Sequence, residues 1–187
     1  MTSRITRLAA ATLLSGALMA AAPLTAGAGT DTEADADAQQ RGSGWTPYEQ
    51  PDIDYAAGFR CEFAMHGEVL KDHEEFKDVA FWPDGTVRTQ LWRGALVIRW
   101  SNVETGESVV RDQSAKAVAE YGSDGGLDKM TSMGGAFSAG LPEGGSPEKG
   151  VFIVDGKWSS IVIEDDGNRA ITLGPRGSLE NLCDTLG

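Results

Sequence analysis

Residues 58–66, Gly58-Phe59-Arg60-Cys61-Glu62-Phe63-Ala64-Met65-His66, carry an apolar side chain at every second position. Phe59, Cys61, Phe63 and Met65 fall on one side of an extended chain and Arg60, Glu62 and His66 on the other, the pattern of a half-buried strand. The same period recurs downstream. Phe76 to Trp82 reads as a second strand, followed by the tight turn Pro83-Asp84-Gly85. Val87, Thr89 and Leu91 continue on a third, and Leu96, Ile98 and Trp100 form one face of a fourth, opposite Arg99 and Ser101. Glu104-Thr105-Gly106 turns the chain into Ser108–Arg111. Ala115, Ala117, Ala119 and Tyr121 alternate with Lys116, Val118 and Glu120. The alanines suit a helix too, but the segment is short and lies between turn signals, so strand is the reading. Leu127–Met133, Val151–Val154, Lys157–Glu164 and Arg169–Leu173 complete the set, with Asp155-Gly156 and Asp165-Asp166-Gly167-Asn168 as hairpin turns.

The fold class that follows is all-β and antiparallel. Short turns pair consecutive strands in chain order, and a meander of about eight or nine such strands curls and closes, which removes exposed edges. The expected architecture is an up-and-down β-barrel over residues 58–187, with a two-sheet β-sandwich as the alternative. A sandwich needs longer crossovers. Gly134–Gly150, the longest irregular-looking stretch, is the one candidate, and in the barrel reading it flanks the mouth.

Upstream of this domain the chain changes character. Arg4 and Arg7 precede an apolar run from Leu8 to Ala22, and Ala26-Gly27-Ala28 places small residues two apart, so 1–28 reads as a secretory signal peptide. The run is about 15 residues, short of the roughly 20 that span a bilayer as a helix. Residues 29–57 read as an acidic disordered linker through Gly44, then an extended arm in which Trp45, Tyr48 and Tyr55 are spaced by Pro47 and Pro51. Removing 1–28 takes the formal net charge from −12 to −14. A surface so acidic repels nucleic acid and anionic lipid, and neither is an expected partner. The mature chain has no candidate membrane span, and nothing in the sequence sets an oligomeric state.

Export also bears on the two cysteines. Cys61 and Cys183 bracket the β region, neither has a CxxC partner, and in an oxidising compartment one such pair forms a disulfide.

Residues that carry chemistry are sparse, and no cofactor motif is present. The two histidines, His66 and His73, read as solvated turn residues, although Asp72 and Glu74 adjoin His73. Two histidines with scattered acids are too few for a zinc site. No GxSxG occurs, and Leu141-Pro142-Glu143-Gly144-Gly145 lacks the threonine of a cell-wall sorting signal. With 28 acidic residues, some carboxylate pair arises by chance, so acids alone carry no glycosidase signal. Asp165, Asp166 and Asn168 lack EF-hand spacing and read as a turn. The remaining candidates are aromatic and apolar. Trp82, Trp92, Trp100 and Trp158 sit on expected strands, where they fill the core or hold a ligand in a barrel mouth. Phe137 and Leu141, inside the glycine-rich stretch, are apolar residues that a plain connection does not need.

The run Trp100-Ser101-Asn102-Val103-Glu104-Thr105-Gly106-Glu107-Ser108-Val109-Val110, with Cys61 before it, Pro83-Asp84-Gly85 between and Asn181-Leu182-Cys183 near the end, resembles small secreted, mostly uncharacterised proteins of high-GC Gram-positive bacteria. The resemblance implies an exported β domain and carries no catalytic residue across. The expected function is accordingly a secreted, non-enzymatic protein that binds a small apolar molecule or a protein partner. A hydrolase using two carboxylates and a structural envelope component are the competing classes. A hollow interior without paired acids separates the first from both.

Overall fold

The computed structural model describes residues 44–164 and 166–187. The expected signal peptide and the linker before Gly44 lie outside the described residues. The architecture is all-β and antiparallel, with one short C-terminal helix. Two small strands of the arm, β1 (Thr46–Tyr48) and β2 (Ile53–Tyr55), lie on the same edge of β3 (Met65–Phe81), which forms a long hairpin with β4 (Val87–Asn102). Next come β5 (Ser108–Asp112), β6 (Ala115–Tyr121), β7 (Leu127–Leu141), β8 (Gly150–Asp155), β9 (Ser160–Ile163), β10 (Arg169–Thr172), β11 (Ser178–Asn181) and α1 (Leu182–Leu186). Pairing with β3 holds the arm against the domain.

The long strands change partners midway. The first half of β4 pairs with β6 from Thr89↔Glu120 to Gly94↔Ala115, and the second half pairs with β5 from Val97↔Asp112 to Ser101↔Ser108. On β7 the first half lies between β6 and β9, and Ala136–Leu141 pairs with β8, which carries β11 on its other edge. The change occurs at Gly134-Gly135. Gly135 has φ 89°, and the Ser114 carbonyl and the Ala115 Cα stand where its Cβ would be, so only glycine lets β7 swing away from β6 here.

This swing corrects the expected topology. The hydrogen-bonded order runs β1-β3-β4-β6-β7-β8-β11, and β1 and β11 do not pair, so the sheet does not close into a barrel. Its far end folds over instead. Met65, Ile98 and Trp100 of the long hairpin pack with Val151 and Ile153 of β8 and with Leu182 and Leu186 of α1. The opposite face of β8, Phe152 and Val154, packs with Phe137, Ala139 and Leu141 of β7 and with Ile161 of β9. Burial on both faces is what the unbroken apolar run Val151-Phe152-Ile153-Val154 requires of a strand.

Three local expectations also change. Phe59–Phe63 is a series of turns and bends rather than a strand: Gly58 N–H donates to the Cys61 carbonyl (2.8 Å) and Phe59 N–H to that of Ala56 (3.0 Å), while Phe59 is 55% exposed. The turn expected around the histidines is continuous strand β3, its polar 71–75 segment held in register by β4. Gly134–Leu141 is strand, not loop, so Phe137 and Leu141 are core positions of β7, and only Pro142–Lys149 connects it to β8.

Cys61 and Cys183 are bonded, with Cα atoms 5.2 Å apart across 122 residues of sequence. The bond fastens the irregular 56–64 segment and α1 to the same core. In the chain-entropy account a loop of this length stabilises by up to about 5 kcal/mol. The Cys61→Ser/Cys183→Ser double variant is therefore expected to lose about 2–5 kcal/mol in urea unfolding; an unchanged midpoint would show that the bond constrains nothing the fold depends on.

Candidate functional site

Where β4 exchanges β5 for β6, the chain turns through Asp112-Gln113-Ser114. Asp112 Oδ1 accepts the Ser114 N–H (2.9 Å), Gln113 N–H donates to the Leu96 carbonyl (2.8 Å), and Ser114 Oγ accepts the Leu96 N–H (3.3 Å). The backbone of Gln113 is thus fixed on β4, and its side chain faces inward. Gln113 is only 2% exposed, and neither its amide nitrogen nor its amide oxygen has a hydrogen-bond partner.

The space that Gln113 faces is a cavity of about 160 Å³. Its walls come from Trp92 and Leu96 of β4, Ala115 and Ala117 of β6, and Met130, Ala136, Phe137 and Ser138 of β7, with Gln50, Glu74 and Arg93 as further polar members. Small side chains leave this room: Ala115, Ala117, Ala136 and Ser138 stand where a filled sheet interior carries Val, Ile or Leu. Trp92 is held by its neighbours. Its Nε1 donates to Gln90 Oε1 (3.0 Å), which also accepts from the Tyr121 hydroxyl (2.6 Å), while Gln90 Nε2 donates to Asp78 (2.8 Å). Tyr48 meets the Trp92 ring edge-on at 5.2 Å and Phe76 lies 5.3 Å from it.

Glu74 is the one carboxylate in this lining. Burial, and then the neighbouring charge of Asp72, push its pKa up to about 7. Asp72 itself accepts the backbone N–H groups of Gln50 and Glu74. A second cavity of about 530 Å³ lies between the arm and β7, β9 and β10. Gln50, Met130 and Ser138 line both, so the two adjoin.

The expected ligand-contacting residues divide. Phe137 and Trp92 line the first cavity. Leu141 and Trp100 are fully buried in the two cores, with Trp100 stacked on Tyr55 at 6.5 Å. Trp82 donates through Nε1 to the Tyr121 carbonyl (3.1 Å) beneath Arg88. Trp158 is on the turn between β8 and β9, 52% exposed, at φ 71°, beside Lys157, Pro175 and Arg176. The structure therefore brings Trp92 and Phe137 together and scatters the other four. His73 and Glu74 are strand neighbours and point to opposite faces, and His66 Nδ1 lies 2.8 Å from Asp54 Oδ1. Asp166 accepts from Asn168 N–H (2.9 Å) and Nδ2 (2.8 Å), as a turn does, while Asp165 lies outside the described residues. Among the described residues no group of three or more His, Cys, Asp or Glu is placed to hold a metal ion, and no helix is long and apolar enough to cross a membrane.

Gln113, Glu74 and Gln50 have no motif around them. The alanines at 115, 117 and 119 did offer a signal, because alanine is a poor strand residue and a run of it facing inward leaves volume. The chain matches no family model, no curated protein and no solved structure.

The raised pKa of Glu74 has a testable sign. Its carboxyl ionises near 4.5 when unfolded and near 7 when folded, so the folded state holds the proton more tightly through that window and loses stability as the pH rises across it. Glu74→Gln removes the ionisation. Its thermal midpoint is expected to exceed the parent's by a few degrees at about pH 8 and to match it at about pH 4. A difference independent of pH would place the Glu74 carboxyl in ordinary solvent.

Proposed function

We propose that the protein is an exported, non-enzymatic binding protein that takes up a small, mainly apolar molecule in the cavity beside Gln113. The observation that carries this reading is the Gln113 carboxamide, buried with both polar atoms unpaired and facing open volume. An unsatisfied buried amide costs about 1–3 kcal/mol. A core position needs no such group, whereas a binding site uses one to orient what it holds. Phe137, Leu96 and Met130 in the same lining suit an apolar body.

Other features agree. Hydrolysis by paired acids takes two carboxylates across a cleft, and this lining has Glu74 alone. A purely structural domain gains from a filled interior, and alanines here leave it open. The disulfide suits an oxidising compartment, and export rests on the signal-like 1–28 segment. Residues of β3, β4, β6 and β7 together line the cavity.

Hexanamide, an apolar chain ending in a group that pairs with a carboxamide, is a suitable first probe. Calorimetric titration is expected to show one saturable site in the parent protein. Gln113→Leu is expected to weaken it about tenfold or more, with a folding stability equal to the parent's or higher. Absence of saturable binding, or equal affinity in the variant, would remove the basis for the reading.

A further inference from the structure

Gly140 lies on β7 where the arm and the 56–64 segment meet the sheet. Its backbone does not demand glycine, since it is not among the residues of positive φ. Its neighbours explain the missing side chain. A Cβ there would stand 2.8 Å from the Tyr55 hydroxyl and 3.2 Å from Arg60 Nε, and Arg169 Nη1 donates to the Gly140 carbonyl (2.7 Å). Three donors therefore gather around one bare position.

Two of them are arginines without anions. Arg60 Nε is buried and has no hydrogen-bond partner. Among the described residues no carboxylate lies within ion-pair distance of Arg60 or Arg169, while Arg93, Arg99 and Arg111 each hold a glutamate. The chain has 28 acids to 16 bases, so acids for pairing are not scarce. Burial, and then the neighbouring Arg169, hold the Arg60 guanidinium below its ordinary pKa. Burial raises that of Tyr55, which keeps its hydroxyl a neutral donor. Two adjacent cations, one partly desolvated, are the arrangement an oxyanion relieves.

We propose that Tyr55, Arg60 and Arg169 form an oxyanion pocket over Gly140, and that the bound molecule is a medium-chain carboxylate whose head sits there. This rests on the cavity-binding reading and names the ligand class. Tyr55 and Arg169 are part of the wall of the larger cavity, whose apolar surface includes Ile161, Ile163 and Met130. That wall adjoins the Gln113 cavity at Gln50, Met130 and Ser138, so a chain leaving the oxyanion pocket reaches Phe137 past Ile161, Ile163 and Met130. The disulfide positions the cation: Cys183 Sγ lies 3.5 Å from the Arg60 carbonyl, next to Cys61.

Calorimetric titration of the intact mature protein with octanoate, octyl phosphate and 1-octanol separates the possibilities. Octanoate is expected to bind at least about tenfold more tightly than octanol, as charge-assisted hydrogen bonds imply, and at least as tightly as octyl phosphate. Arg60→Gln and, independently, Tyr55→Phe, which removes the hydroxyl and keeps the ring that stacks on Trp100, are each expected to lower the ratio of octanoate to octanol affinity severalfold. Thermal unfolding verifies that each variant folds. Equal binding of octanoate and octanol by the parent would overturn the oxyanion pocket and leave the cavity reading standing. Preference for octyl phosphate would overturn the carboxylate assignment. Binding of none of the three would overturn the pocket and the cavity reading together.

Discussion

Everything in this molecule is arranged around β8. Val151-Phe152-Ile153-Val154 has no polar face, so the strand needs apolar neighbours above and below as well as partners on both edges. β7 and β11 supply the edges. The Trp100 side of the long hairpin, with α1, covers one face, and the other is continued by Phe137 and Leu141 and packs with Ile161, Met130, Ile163 and Ile171. An evenly curved barrel wall is polar or lumenal on one face and has no place for such a strand.

Gly134-Gly135 is the device that meets this demand. By turning β7 away from β6, it brings residues 136–141 alongside β8 and opens a gap on the side it has left. The gap is bounded by the corner at Gln113 and by the small side chains of β6, and it is the cavity. Cys61–Cys183 then ties segment 56–64, which belongs to no strand, to α1, and in doing so sets Arg60 near Gly140. The same choice that buries β8 twice also leaves a hollow beside it.

The class of the fold was legible because period-two alternation and turn residues are local. Ala115–Tyr121, the Glu104-Thr105-Gly106 turn and the disulfide partners needed no long-range information. Misreadings came where tertiary pairing overrode local appearance. Phe59-Arg60-Cys61-Glu62-Phe63 alternates perfectly but has no partner strand, so it bonds to itself. Residues 71–75 are polar on both faces, yet β4 holds them extended. Glycines at 134 and 135 looked like loop, although glycine in a strand also marks a pivot. The site was less legible than the fold. Phe137 and Trp92, which line the cavity, stand out in the sequence as aromatics; Gln113, Arg60 and Arg169 stand out only through burial and the absence of partners, which a linear pattern does not display.

The central claim is that the space beside Gln113 holds a ligand. An experimental structure of the mature protein, purified without denaturation, tests this most directly through density at one side chain. The expected result is ligand density, larger than a water, hydrogen-bonded to the Gln113 carboxamide and continuous with the space between Phe137 and Met130. A Gln113 amide bonded to the protein's own backbone, with the alanine walls of β6 closed onto β7, would contradict it.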